Sequence, residues 1–442
     1  MAYTDFIAVI DLGTSNLVGL VGKRYPNNKI AIIAYETEES TGSIRRGCIY
    51  NIDEAVNKTK RLINRLESKL NNEKIAKVYV GIGGQSLHTI DHRVSLTLNE
   101  DEVVTEQHLT QIYEECKAFQ PELQEVYAIT TPTFLLDDKQ ETNPVGVPCK
   151  QIEARYKLTV GRPSLKKHIH SVMSKLKIEV ADILVSPLAL ADVVTSENER
   201  SLGCALINFG AGVTSFAIFK NNLLVDLSVI PLGGNLITRD ITSLHIIESE
   251  AERLKITHGS AIAKREEETT VSMSAADGVG TREIKLADIN LVIEARAREI
   301  IENIAVRIEE TGIAKELGAG IIIAGGASAL KALPELLEER SGLTVRLASV
   351  RKGLIENERT FTSRSENAVA IGLISQGKEN CAAKKEEPIV QSTIFGEDDV
   401  EVVTPPPKQP KQPKEAKKSN FFDRIKKGVD KMSDNLFNDE DE

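Results

Sequence analysis

The stretch Ala8-Val-Ile-Asp-Leu-Gly-Thr-Ser-Asn16 returns, in register for nine residues, as Ala205-Leu-Ile-Asn-Phe-Gly-Ala-Gly-Val213. Each copy is entered by a short, β-branched, proline-free apolar run, Phe6 to Ile10 and Cys204 to Ile207, which reads as a buried strand. A polar residue follows, Asp11 or Asn208, and then the glycines Gly13, Gly210 and Gly212. Glycine accepts backbone angles that larger residues resist and lets main-chain N–H groups close on an anion. Ser15 and Thr214 add hydroxyls beside those amides. The chain then resumes an apolar strand, Leu17 to Val21 and Ser215 to Phe219, so each turn is a hairpin and not the strand-to-helix loop of a Walker A or dinucleotide site. One such hairpin is a common structural turn; two matched copies predict a duplicated domain with two facing phosphate loops.

A third glycine cluster, Gly320-Ile-Ile-Ile-Ala-Gly-Gly-Ala-Ser328, reads as a strand breaking at Gly325 and Gly326, with a helical stretch from Leu330 to Glu339. Between the second and third clusters, Glu252 and Lys255 stand three apart on a predicted helix, Ser249 to Ile256, and so project from one face. On spacing alone they serve equally as a solvated surface pair or as part of a site.

In this order the motifs resemble those of the actin, DnaK-type chaperone and sugar kinase superfamily and, within it, the FtsA family of actin-like bacterial division proteins. The stretches that carry the resemblance are Asp11-Leu-Gly-Thr-Ser15, Asn143-Pro-Val-Gly146, Ile207-Asn-Phe-Gly-Ala-Gly212, Pro231-Leu-Gly-Gly-Asn235, Ile256-Thr-His-Gly259 and Ala324-Gly-Gly-Ala327, and it spans roughly residues 6 to 377. It implies an α/β, actin-like duplicated two-lobe fold with an inserted small α/β subdomain. The expected layout has residues 1–85, 166–190 and 360–377 as the first lobe and 86–165 as the insert. Residues 191–234 with 306–359 would form the second lobe, and 235–305 its small subdomain.

The resemblance also implies roles. ATP would lie between the lobes, its phosphates held by Gly13, Thr14, Ser15 and Asn16 from one side and by Gly210, Ala211, Gly212, Val213 and Thr214 from the other, with Gly233 and Gly234 completing the second set. Glu252 and Lys255 would meet ribose and base, and Gly325, Gly326 and Ala327 would pack on the adenosine. Asp11 would organise Mg²⁺ through water, since Mg²⁺ retains several waters and takes few carboxylates. Many relatives carry Asp at the second loop where this chain has Asn208. The missing carboxylate favours binding with slow or negligible hydrolysis, and no catalytic residue is expected.

Composition bounds the function without specifying it. A chain of 442 residues, 41% hydrophobic and 27% charged, is ordinary for a globular protein of two or more domains. A formal charge of −10 argues against nucleic acid as a partner, because phosphate backbones are bound through clustered Lys and Arg. Five scattered cysteines, Cys48, Cys116, Cys149, Cys204 and Cys381, predict reduced thiols in a cytosolic setting. His168 and His170, like Asp91 and His92, lack companions at metal-ligand spacing and read as surface residues. The first apolar run has no basic leader and is broken by Asp11, and no apolar stretch reaches the roughly 18 residues needed to span a bilayer, so any membrane attachment is expected to be peripheral.

Elsewhere, Ile52 to Leu70 reads as an amphipathic helix and Leu286 to Glu310 as a core-packing one, with Ile289, Ile293, Ile300, Ile304 and Ile308 at helical spacing. After Gln376 the composition changes. Residues 378–418, rich in Lys, Glu, Gln and Pro, read as a disordered linker with a reach on the order of 35 Å. Residues 419–437 then place Phe421, Phe422, Ile425, Val429, Met432, Leu436 and Phe437 on one stripe of a helix, flanked by Arg424, Lys426, Lys427 and Lys431. Such a helix suits a membrane interface, or docking on the protein itself or on a partner. The family resemblance implies the first: a peripheral protein on the cytoplasmic face of the inner membrane at the septum, polymerising with itself, tethering FtsZ filaments and recruiting later division proteins. A sugar-kinase-like enzyme would need a catalytic aspartate near the γ-phosphate, and a chaperone would need a β-rich substrate domain. Neither is in view. An actin-like scaffold of another envelope machine, such as pilus assembly, is the remaining alternative.

Overall fold

A computed structural model describes residues 5–71, 73–99, 102–266, 268–274, 281–356 and 367–383. The membrane-helix stripe and the linker from residue 384 onward lie outside these.

The repeated stretch forms the same object twice. Strand Ile7–Leu12 pairs antiparallel with Asn16–Arg24, closing at Leu12 opposite Leu17. Strand Cys204–Phe209 pairs with Thr214–Lys220, closing at Phe209 opposite Thr214. The sheets around them share one order. In the first, Glu179–Val185, Lys77–Ile82, Ile7–Leu12, Asn16–Arg24 and Ile30–Glu39 lie side by side. In the second, Val345–Leu347, Ile321–Ala324, Cys204–Phe209, Thr214–Lys220 and Leu223–Ile230 repeat that sequence of parallel and antiparallel neighbours. Both central strands are apolar on both faces because both faces are covered. Along Cys204–Phe209 the alternation of side chains assigns Leu206 to the core shared with the first lobe, and Ala205, Ile207 and Phe209 to a separate core of the second.

Helix Ile52–Lys69 is capped by Asn51, whose side chain accepts from the Glu54 amide. It lies so close on strand Asn16–Arg24 that a Cβ at Gly19 would stand 2.7 Å from Leu66. Helix Ala368–Gln376 crosses helix Ser186–Val194 with Gly372 against the Ala189 carbonyl, where a side chain would clash. Helix Ala368–Gln376 lies under the paired strands of the first lobe, and helix Ser186–Val194 packs between it and strand Thr214–Lys220 of the second.

The segment from His88 to Gly161 has its own small core of Val94, Val104, Ile112, Leu136, Ile152, Tyr156 and Leu158. Its strands His88–Thr97 and Gln151–Gly161 run antiparallel over ten pairs and meet the second-lobe sheet through a single pair, Ser228 with His88.

Two boundaries differ from the sequence reading. The helix after the third glycine cluster begins at Leu333 instead of Leu330, because Gly326–Ala329 is a 3₁₀ turn and Ala332 takes a left-handed conformation. The composition break at Gln376 does not end the folded chain: Cys381 is fully buried, its amide donates to the Phe6 carbonyl at 2.8 Å, and the Ala383 amide donates to Lys74 O. A polar segment can be held this way because backbone hydrogen bonds do not depend on side-chain composition.

Candidate functional site

The two hairpin turns face each other across a cavity of about 450 Å³. Their geometry is duplicated. A Cβ at Gly13 would meet the Asn16 carbonyl, and one at Gly210 would stand 2.8 Å from the Val213 carbonyl, so each turn tolerates only glycine at its first position. The turns touch, since a Cβ on Gly212 would lie 2.6 Å from Thr14 Oγ1.

Neighbouring segments brace each loop. Ser40 Oγ donates to Gly13 O at 2.7 Å, its amide donates to Ser15 O at 2.9 Å, and Thr14 Oγ1 accepts from the Gly47 amide at 3.0 Å. In the second loop, the Gly210 amide closes the turn onto Val213 O at 3.0 Å. The start of helix Gly234–Ile241 then grips it: the Gly234 amide donates to Gly210 O and the Asn235 amide to Ala211 O.

Of the residues singled out in the sequence, Asp11, Gly13, Thr14, Ser15, Asn16, Gly210, Ala211, Gly212, Val213, Gly234, Glu252, Lys255, Gly325, Gly326 and Ala327 all line this one cavity. Two do not. Thr214 is fully buried and its hydroxyl donates to Leu232 O at 2.8 Å; the next residue, Ser215, faces the cavity in its place, because a single step along a strand reverses the side chain. Gly233 stands behind the loop, where any Cβ would be 2.6 Å from Ala211 O, so it shapes the loop without lining the cavity.

The cavity floor carries one partly buried carboxylate. Asp11 ends the first central strand, and Ser186 Oγ donates to its Oδ1 at 2.8 Å. Burial pushes the Asp11 carboxyl up to about 6, against the Ser186 hydrogen bond, which pulls it down. Gly81 makes room for this pair, since a Cβ there would stand 2.8 Å from both Asp11 Oδ1 and Ser186 Oγ. Asn208 lines the cavity in the second copy, so the near-symmetric floor carries its charge on one side only. Ser186 and Pro187 also line the cavity without any motif announcing them, and Ser215 and Asn235, which stand in quoted stretches, line it without an assigned role. The Ser186-Pro187 step at the end of an apolar strand was a legible helix start, since proline favours the first helical turn.

At the far end of the cavity, Glu252 and Lys255 project from helix Glu248–His258 as their spacing predicts. Lys255 turns inward. Its Nζ donates to Glu252 Oε2 at 2.6 Å, Thr238 Oγ1 at 2.9 Å and Gly234 O at 3.2 Å. Gly325 closes the remaining wall, with φ of 88°, where any Cβ would run into the Phe209 carbonyl and the Asn208 side chain.

Among the described residues no group of His, Cys, Asp or Glu is gathered as a metal site, and no helix is long and apolar enough to cross a membrane. All five cysteines are free thiols, four of them buried.

Comparison with known proteins adds the family. Residues 205–372 match the family model "Cell division protein FtsA". Among solved structures, the type IV pilus biogenesis complex PilM–PilN aligns at 16% identity over 83% of this chain and 97% of that chain, with a TM-score of 0.57. MreB5 of Spiroplasma citri bound to ADP aligns at 16% identity over 84% of this chain and 95% of that one, with a TM-score of 0.51. At such identities these likenesses establish the actin-like fold and nothing narrower, so a pilus-type assignment has no support from them. The "Cell division protein FtsA" of Porphyromonas gingivalis is 34% identical over 377 residues, covering 85% of this chain and 78% of that protein. With that identity over 85% of the chain, the chain belongs to the FtsA family of bacterial cell division proteins.

Proposed function

We propose that the protein binds ATP with Mg²⁺ in the cavity between its two glycine turns, assembles with copies of itself, and tethers FtsZ filaments to the cytoplasmic face of the membrane through residues 419–437. One observation carries the nucleotide half: both turns, the Asp11 carboxylate and the Glu252 carboxylate converge on a single cavity of about 450 Å³. That volume falls within the roughly 300–1,000 Å³ of small-molecule sites. The residues suit the ligand. Glycine turns admit phosphates close to backbone amides, and a lone carboxylate beside them suits a cation that keeps most of its waters. The Spiroplasma citri MreB5 structure of the same fold holds ADP, which supports placing a nucleotide here.

Turnover is expected to be slow. Asn208 stands where a second carboxylate would orient a metal-bound water, and an amide neither carries the charge nor accepts a proton. Phosphate release should run far below the ~10 s⁻¹ median of enzymes, and Asn208→Asp should raise it. A wild-type rate near that median would remove this part of the proposal.

The membrane half rests on the apolar stripe from Phe421 to Phe437. Partial insertion of one such helix is offset by the cost of ordering it, roughly 1–2 kcal/mol per residue, so a single tail binds reversibly and a filament carrying many binds by avidity. Liposome co-sedimentation with and without ATP checks this, comparing the full chain with one ending at Lys418. The full chain should pellet more strongly with ATP and carry FtsZ down with it, whereas the shortened chain should stay in solution. Equal pelleting of the two would exclude residues 419–437 as the tether.

A further inference from the structure

We propose that the exposed face of helix Ser164–Leu176 is a contact surface for anionic phospholipid headgroups and turns this side of the first lobe toward the bilayer, an inference that rests on the membrane reading above. In this arrangement residues 419–437 attach the protein and the helix orients it.

No Asp or Glu occurs between Glu153 and Glu179, in a chain whose formal charge is −10. The helix inside this interval buries Leu165, Ile169, Val172 and Met173 against the lobe. Helical periodicity then sends Lys167, His170 and Ser174 to the opposite side, where all three are exposed, as is Lys177 just past the helix end. The flanking Lys166 and Lys175 are tied sideways to Glu125 and Asp53. Lys167 and Lys177 have no carboxylate partner among the described residues. Nor has Arg162 at the helix start, or Arg46, whose guanidinium donates to the neutral Gln85 side chain while the Arg162 amide donates to the adjoining Ser86. Four such cations along one helix and its entry give an acidic protein a local positive potential.

The C-terminal end of this helix is also where the last described segment lies. Two residues past Lys177, Glu179 meets Lys77 Nζ at 3.1 Å, the same Nζ meets Glu379 at 3.0 Å, and Cys381 O accepts from the Ala76 and Lys77 amides. The path toward residues 419–437 therefore starts beside the basic face. From Lys167 to Lys177 the charges extend over about 15 Å, at 1.5 Å per residue. Cations spread along a convex helix suit a plane of phosphates, and the chain's departure beside them favours a bilayer over an acidic peptide. Attachment through a terminal segment does not by itself fix which face of a lobe meets the bilayer, and an anionic surface repels a protein of charge −10 unless a basic face is turned to it.

The test is co-sedimentation of the full chain, with ATP, on vesicles of equal parts phosphatidylglycerol and phosphatidylcholine, comparing wild type with the double variant Lys167→Glu, Lys177→Glu. Each basic residue near an anionic leaflet contributes roughly fivefold in affinity, so the double reversal should weaken binding on the order of tenfold or more at low salt. The ratio of wild type to variant should fall toward one as salt is raised, because the attraction is screened. Lys167→Arg with Lys177→Arg should bind as wild type does. Should the reversal not fold, the milder Lys167→Gln with Lys177→Gln gives the same readout. Equal binding of wild type and reversal variant at low salt would overturn the proposal and leave the tail as tether, and so would a loss that does not change with salt. Failure of wild type to pellet at all would instead sink the membrane reading, and this inference with it.

Discussion

Gly325→Ala is expected to lower stability by roughly 3–5 kcal/mol, combining a backbone region costing about 1–3 kcal/mol for other residues with an overlap of similar cost. Gly325 has φ 88° and ψ 164°, which L-residues avoid, and a Cβ there runs into the Phe209 carbonyl and comes within 2.5 Å of Asn208 Oδ1. The nearer obstacle is backbone and cannot swing aside. The carbonyl belongs to the central strand of the second lobe, and that strand is paired on both sides. Gly146→Ala is the matched control: its φ is 86°, but nothing lies within 4 Å of its Cβ position, so only the backbone term remains, about 1–2 kcal/mol. Urea midpoints at unchanged slope measure both. If the two variants lose equal stability, the close approach of the third glycine cluster to the second loop is not what holds that wall.

Asp11→Asn should stabilise the metal-free, nucleotide-free protein at neutral pH while weakening Mg-dependent nucleotide binding. The folded carboxyl titrates at about 6, against 3.8 without the fold. The folded state therefore prefers the protonated form: this contribution to stability is fully present below about pH 3.8 and is lost as the pH rises through 6. Two pKa units correspond to up to about 3 kcal/mol. Wild type should show a falling contribution between pH 4 and 6 that the variant lacks, and the variant should be the more stable at pH 7.5. Binding has the opposite sign, because a cation requires the carboxylate: wild-type affinity for Mg-ATP should decline below about pH 6, and the variant's affinity should change little with Mg²⁺. Parallel stability profiles for the two proteins would show that the fold does not shift the Asp11 carboxyl.

Much of the site was legible because its parts are local. Gly13, Gly210 and Gly212 announce turns through their own backbone freedom, and the apolar runs on either side announce the strands. Glu252 and Lys255 share a helix face by spacing alone. What escaped was whatever depends on which face a side chain takes or which distant segment meets it. Thr214 and Ser215 exchanged roles over one residue, Ser186 reached Asp11 from 175 residues away, and Thr238 became relevant only when its helix packed on another.

The sequence by itself determined the duplication, the hairpin nature of both turns, the Asp11 and Asn208 asymmetry and the family, all of which are properties of short stretches or of their order along the chain. The tertiary structure alone decided that the two turns abut at Thr14 and Gly212, that Lys255 points inward, and that the folded chain continues to Ala383. The physical reason is that a hydrogen bond is satisfied by whichever partner packing brings near. Local propensity can place a donor on a helix or a loop, but only the assembled cores settle which acceptor it meets.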